Sequence, residues 1–353
     1  MPGVAPPSRV LVTGANGFIA IHIVRNLLER GFAVRGTVRS KAKARHLDQM
    51  FSSYGDKYEV VIVEDVTKEG AFDDAVKGVD AIEHTASPCQ LESDHPDEVI
   101  VPAVSGTVSI LQSALKHGPS VKRIVITSSC AAILEINPTP STFSEADWGE
   151  QAINVVNAQG RDAPGLVKYR ASKTLAEKAA WEFWNKHRDE VAWDLTVINP
   201  PWVFGPSIHD VTTPDTLNAS TLTWYNYVVH PTSNGVTDET LATLGGCYVD
   251  VRDLAEAHSL VLEKPEAGGE RIIVSAGTWK AQDFIDAANT INPPVRLSQP
   301  LPRGVFGAGS PNPATVHLLQ FDNSKAGRIL GIKYRTMAKT TEDTLRDYEA
   351  RGW

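Results

Sequence analysis

One stretch near the start constrains the chain more than any other. A short apolar run, Arg9–Val12, leads without a break into Thr13-Gly14-Ala15-Asn16-Gly17-Phe18-Ile19-Ala20. Beyond it, Ile19, Ile23, Val24, Leu27 and Leu28 recur at helical spacing, and Gly31 supplies a C-cap. A strand that turns on glycines straight into a helix is how a doubly wound α/β sheet begins. The rest of the first 200 residues keeps that rhythm. Ala33–Val38, Tyr58–Val63, Ala81–Thr85, Arg123–Ser128 and Leu195–Asn199 read as strands, and Val99–Lys116 and Val167–His187 as helices. The expected fold is therefore α/β, with a doubly wound, Rossmann-like parallel sheet covered on both faces.

After Pro201 the rhythm is lost. Residues 206–245 are rich in Thr, Pro, Asn and Gly, and 292–314 hold six prolines, so loops are expected in both. The chain divides into a dinucleotide-binding domain, 1–200, that carries the long helix at 167–187. The remainder, 201–353, is mainly a smaller, loop-rich lobe, interleaved with late sheet elements near 246–275. The segment 137–165, with Pro138, Pro140 and Pro164, is expected to be a long surface loop.

The glycine turn has a physical purpose. In the spacing G-x-x-G-x-x-A of Gly14, Gly17 and Ala20, missing side chains let backbone N–H groups approach a diphosphate, and the helix N-terminus favours its charge. Gly14, Asn16, Gly17, Phe18 and Ile19 are the candidate contacts. The end of the second strand chooses the dinucleotide. An acidic residue there would favour NAD. Here Thr37-Val38-Arg39-Ser40 is followed by Lys41 and Lys43, and Arg39 and Lys43 are placed to pair with the extra phosphate of NADPH. The two would share a helix face if the helix starts that early. Asp65 and Val66 follow the third strand, where Asp65 either binds the adenine amino group or caps a helix. Thr85, Ala86 and Ser87 end the fourth strand and are small enough to leave room for the middle of the cofactor.

Tyr169 and Lys173 lie four apart on the long helix, hence on one face. A nearby ammonium favours the phenolate and makes a phenol a better acid–base group. On an arbitrary helix this would be a surface pair. Its neighbour in the fold is Thr127-Ser128-Ser129, at the carboxyl end of the fifth strand, where such sheets bind ligands. Ser129 can hold a carbonyl oxygen near Tyr169; a serine there can equally be a cap or turn residue.

TGANGFIA, TSSCA, YRASK and NPPWVFGP, in that order, resemble the extended short-chain dehydrogenase/reductases, and within them the dihydroflavonol reductase, cinnamoyl-CoA reductase and fungal aldehyde/methylglyoxal reductase branch. Gly246–Asp253 and Asp322–Lys325 fit the same resemblance, which runs from Arg9 to about Tyr348. It implies a catalytic Ser129, Tyr169 and Lys173, with Tyr169 as general acid and Lys173 also holding the nicotinamide ribose. It puts Pro200, Trp202 and Val203 beside the nicotinamide. By family position it lines the substrate pocket with Cys89, Cys130, Leu134, Trp202 and Phe204, joined by Trp224 and Tyr225. Cys130 can also be a small buried thiol, and Leu134 and Phe204 core residues. The expected activity is NADPH-dependent reduction of aldehydes or ketones, with bulky or aryl carbonyls favoured by the aromatic candidates. A nucleotide-sugar epimerase or dehydratase shares the fold and the Tyr-Lys pair, but usually has Arg-Pro where this chain has Asn199-Pro200. A non-catalytic NADP(H) sensor would need the glycine turn alone.

Other functions are disfavoured. A net charge of −8 argues against general nucleic-acid or anionic-membrane binding. No run reaches about 18 consecutive apolar residues, and Met1–Arg9 has no apolar stretch of a secretory signal. Three scattered cysteines suggest neither a disulfide framework nor a zinc site, so no metal is expected and a reducing, cytoplasmic setting fits. A monomer or a homodimer is expected.

Overall fold

The structure is a computed structural model and describes residues 3–87, 93–231 and 235–353. Seven parallel strands form the main sheet: β1 (Arg9–Thr13), β2 (Ala33–Val38), β3 (Tyr58–Ile62), β4 (Ala81–His84), β5 (Arg123–Thr127), β7 (Asp194–Asn199) and β10 (Arg271–Ile273). Their order is β10-β7-β5-β4-β1-β2-β3, with the strand sequence reversing direction between β1 and β4. Ligands of such sheets bind at that reversal, beyond the carboxyl ends of the strands.

β1, β4, β5 and β7 are buried nearly throughout, which is why they read as apolar runs rather than alternating patterns. One face of the sheet packs on α1 (Phe18–Glu29) and α8 (Val251–Glu263), through Val10, Val12, Ile23, Val24, Leu27 and Leu254. The other meets α3 (Asp97–His117) and α5 (Gly165–His187), through Leu11, Ile82, Ile110, Ile124 and Leu195. By length and mean hydropathy α3 could cross a membrane, but half of its apolar window is buried, and the helix packs along α5.

Three regions differ from the sequence reading. Segment 137–165 is not a loop: it holds β6 (Ser141–Phe143), which pairs in parallel with β12 (Leu319–Phe321), and α4 (Glu150–Gln159), which packs on α5. The 206–245 stretch contains α6 (Ala219–Val228) and α7 (Asp238–Thr243). The second lobe is organised by a three-stranded sheet, β11-β9-β8, made of β8 (Trp202–Phe204), β9 (Gly245–Asp250) and β11 (Gly277–Lys280). Against it pack α9 (Ala281–Asn289) and α11 (Met337–Arg351), around Phe204, Trp224, Tyr248, Trp279, Phe284 and Tyr348. α8 and β10, within the 246–275 stretch expected to interleave with the first domain, pack with the main sheet. Residues 292–314 contain no helix or strand.

Candidate active site

The register of the sheet brings the candidate residues to one edge. Thr13 pairs with His84, His84 with Ile126, and Ile126 with Val197, so the chain leaves these strands side by side. Just beyond lie the glycine turn, Thr85–Ser87, Ser128–Ser129 and Pro200.

Gly14 has φ +63°, and a Cβ there would stand 3.2 Å from both Cα and Cβ of Ala86. Only glycine takes that backbone without strain. The turn is held by Gly17 N donating to Gly14 O (2.9 Å), Ala15 N to Thr37 O (2.9 Å) and Gly14 N to Thr37 Oγ1 (3.2 Å). Gly17 is the N-cap of α1 and brings no side-chain cap, so the first-turn amides of Phe18, Ile19 and Ala20 have neither an intrahelical nor a capping partner. A glycine-walled cradle facing open helix amides fits a dinucleotide diphosphate. The Phe18 ring itself turns into the core, against His22 and His209.

Thr13 is a junction. Its Oγ1 accepts from Thr85 N (3.1 Å) and Ala86 N (3.0 Å) and meets His84 Nδ1 at 3.0 Å, while Thr85 Oγ1 donates to Thr13 O. His84 Nδ1 and the Thr13 hydroxyl are hydrogen-bonded, and burial holds the imidazole's pKa down to about 3, so the ring is neutral near pH 7.

At the end of β2, Arg39 and Lys43 are exposed. The helix starts later than the pairing of their faces needs: α2 spans Lys41–Phe51 with Ser40 as N-cap, so Arg39 precedes it. Arg39 instead directly follows the last residue of β2 and lies two positions before the helix begins. Arg35 is committed elsewhere, to Glu59 (2.8 Å) and the carbonyls of Ala75 and Lys77. Asp65 Oδ1 accepts from Thr67 N (3.0 Å) and Thr67 Oγ1 (2.6 Å), which lowers its pKa and makes it the cap of a local turn. Val66 packs beside Gly106 of α3.

Tyr169 and Lys173 share one face of α5. Lys173 Nζ lies 5.9 Å from the Tyr169 ring centroid and 3.0 Å from Ser87 Oγ, tying the helix to the end of β4. The two serines that follow β5 part ways. Ser128 is buried and donates to Glu177 Oε2, whereas Ser129 is half-buried in extended backbone (φ −162°, ψ 153°). Ser129 Oγ accepts from Ala131 N (3.1 Å), capping the turn Cys130–Ala132, and reaches Pro200 O at 3.4 Å. That turn packs directly on α5.

Most of the expected substrate wall is core. Phe204 is enclosed by Tyr248, Trp279 and Phe284, and Trp224 by Phe284 and Tyr348. Tyr225 packs on Tyr348 and His230. Cys130 and Leu134 sit in a small cluster with Ile133, Phe143 and Ile273, and the Cys130 thiol donates to Asn199 O, its pKa pushed up by burial. Cys89 lies outside the described residues. Val203 is buried in the main core, while Trp202 is half-buried and stacks on Phe204 at 6.3 Å. Among the described substrate candidates Trp202 alone is half-buried, and the others are buried.

The sequence reading missed two features. Lys168, one residue before Tyr169, is buried and its Nζ donates to the carbonyls of Ser93, Asp94 and Arg161 at 2.8–2.9 Å. Glu177, one turn after Lys173, is buried among Ser128, Asn199 and Arg271. Its i, i+4, i+8 spacing from Tyr169 and Lys173 was the available signal. No group of three or more His, Cys, Asp or Glu that could hold a metal occurs among the described residues. A cavity of about 650 Å³ between α1, α8 and residues 330–335 involves none of the candidate catalytic residues.

The sequence profile of the NAD dependent epimerase/dehydratase family matches residues 10–277, spanning both the glycine turn and the Tyr-Lys helix. The chain belongs to that family. It is 36% identical over 344 residues to the NADPH-dependent methylglyoxal reductase GRE2 of Saccharomyces cerevisiae, covering 95% of this chain and 96% of the relative. It is 35% identical over 351 residues to the ketoreductase azaE of Aspergillus niger, covering 96% of each. Among solved structures, yeast methylglyoxal/isovaleraldehyde reductase Gre2 complexed with NADPH superposes with a TM-score of 0.84 at 34% identity, over 97% of this chain and 99% of that one.

Proposed function

We propose that this protein is an NADPH-dependent reductase that converts aldehydes or ketones to alcohols. The observation that carries the reading is the placement of Tyr169 and Lys173 on one face of α5, with Lys173 reaching Ser87 at the carboxyl end of β4. The similarity over nearly the whole chain to NADPH-dependent methylglyoxal reductase and to a ketoreductase supports the same chemistry.

The residues divide the work as follows. The amides at the start of α1 hold the diphosphate, and Arg39 with Lys43 meets the extra phosphate. NADPH, when bound, supplies a hydride to the carbonyl carbon. Ser129 Oγ donates to the substrate oxygen and sets its position, and Tyr169 delivers the proton to that oxygen as negative charge builds on it. The Lys173 ammonium stabilises the charge left on the Tyr169 oxygen. The site needs no second chain for these steps, so a monomer or a homodimer serves equally; a cytoplasmic setting suits its free thiols and its cofactor.

The test is NADPH oxidation by the purified protein against aryl ketones, aliphatic aldehydes and ketoesters, with NADH run in parallel. Turnover that depends on the carbonyl and prefers NADPH is expected. NADPH binding without turnover anywhere on that panel would overturn the reading in favour of a non-catalytic nucleotide sensor.

A further inference from the structure

Behind the Ser129 turn lies a buried ionic cluster that the reductase chemistry does not itself require. Glu177 projects from α5 on the face of Tyr169 and Lys173, and its carboxylate is fully enclosed. Oε1 accepts from Arg271 Nε at 2.6 Å, and Oε2 accepts from Asn199 Nδ2 at 2.8 Å and from Ser128 Oγ. Ser128 follows β5, Asn199 ends β7 and Arg271 opens β10, three adjacent strands of the sheet. Arg271 is fixed in turn by donating to the carbonyls of Glu145 and Asp147 (2.7 and 2.8 Å) and by lying 3.7 Å from the Trp148 ring centroid.

We propose that Glu177 is a positioning residue that sets Ser129 against Tyr169. Beside the backbone bonds of the turn, such as Ala132 N to Ser129 O at 2.9 Å, the side-chain holds on the Ser128–Ser129 backbone lead to this carboxylate. Asn199 Nδ2, oriented by Glu177, also donates to Ser129 O at 3.2 Å. Pro200 O, one residue on from Asn199, accepts from Cys130 N at 2.9 Å, while the Ser129 hydroxyl that reaches it at 3.4 Å turns to the substrate oxygen when substrate binds. Ser128, pinned to Glu177, is the residue that immediately precedes Ser129. Glu177 is joined rigidly to Tyr169 through two turns of helix, so it references the serine to the tyrosine across the sheet edge. An apolar residue could fill such a site with similar stability. What a carboxylate adds is three directed bonds, and a reacting group misplaced by about 1 Å can lose on the order of a hundredfold in rate.

The inference rests on the reductase reading, and its test separates the two. Glu177→Gln keeps the shape but offers one acceptor where two donors, Arg271 Nε and Asn199 Nδ2, need one each. Either amide orientation sets donor against donor. We expect kcat with a carbonyl substrate to fall about 10- to 100-fold while the Kd for NADPH stays within about twofold. The discriminating readout is a double-mutant cycle with Ser129→Ala. If Glu177 acts through Ser129, adding Glu177→Gln to Ser129→Ala changes kcat by less than about threefold. Asn199→Ala cuts the link while leaving the Arg271 pair intact, and it reproduces the loss and its dependence on Ser129 should Glu177→Gln fold poorly. Wild-type kcat in both variants, or a loss of the same size in the presence and absence of Ser129, would overturn the proposal while leaving the reductase reading standing. A wild-type protein that oxidises no NADPH with any carbonyl would overturn both.

Discussion

Replacing Gly14 by alanine separates what the glycine turn does for the fold from what it does for the ligand. At φ +63° an alanine is strained by about 1–2 kcal/mol. Its methyl would meet Ala86 Cα and Cβ at 3.2 Å, and Ala86 cannot retreat freely because its amide is held by Thr13 Oγ1 at 3.0 Å. Such overpacking adds about 1–3 kcal/mol. The sum, about 2–5 kcal/mol, lowers Tm by about 3–7 °C in a chain of 353 residues. Gly17 is the control. Its φ is −75°, open to any residue, and an added Cβ would lie 3.3 Å from Gly14 O. Gly17→Ala is expected to stay within about 1 kcal/mol of wild type. Both variants are expected to bind NADPH about tenfold or more weakly, because the Gly14 methyl pushes on Ala86 and the Gly17 methyl crowds Gly14 O, each displacing the turn whose amides would meet the diphosphate. Thermal denaturation without cofactor, followed by titration with NADPH, reads the two effects separately. A Gly14→Ala protein that melts with the wild type, or a Gly17→Ala protein that melts as low as Gly14→Ala, would refute the reasoning.

Three further outcomes follow from the geometry. Arg39→Ala is expected to reduce the NADPH-over-NADH ratio of kcat/KM by about 10- to 100-fold, the worth of a hydrogen bond to a charged group, while NADH turnover persists; an unchanged ratio would remove Arg39 from the phosphate site. His22 and His84 are both held down to about 3 by burial, so the unfolded chain takes up protons below pH 6.5 while the folded one does not. Their stabilisation is complete above pH 6.5 and is lost as pH falls, by about 1.4 kcal/mol per unit for each histidine. Urea titrations at pH 7.5 and 5 should show a shallower pH slope for His84→Gln than for the wild type, and equal slopes would contradict the assignment. Asp194→Ala is expected to destabilise the protein by about 3–5 kcal/mol, because it strands Arg123, which is 1% exposed and paired with Asp194 at 2.6 and 2.8 Å; a denaturation midpoint near wild type would contradict this.

The first domain was legible because its signals are local. Buried parallel strands read as apolar runs, and the Gly14–Gly17 turn marks the first crossing between strand and helix. β6 was illegible for the opposite reason. It is three residues long and exists only by pairing with β12, whose residues lie 178 positions later in the chain. The second lobe misled in another way. Phe204 and Trp224 have the character of a ligand-pocket wall, but apolar side chains that pack on one another have the same composition as apolar side chains that pack on a substrate. The spacing of Glu177 was visible but did not single it out, because a Glu four residues after a Lys on a helix ordinarily forms a solvated pair. Its burial depends on β5, β7 and β10 meeting at one point, which no local pattern reports.

The central claim is that Tyr169 delivers the proton in an NADPH-dependent carbonyl reduction, and Tyr169→Phe tests it most directly. The side chain keeps its ring against Lys173 and loses only the hydroxyl. Turnover with the best carbonyl substrate is expected to fall about 10²- to 10⁴-fold while NADPH still binds within about twofold of wild type. A variant that reduces the same carbonyl at the wild-type rate would contradict the account.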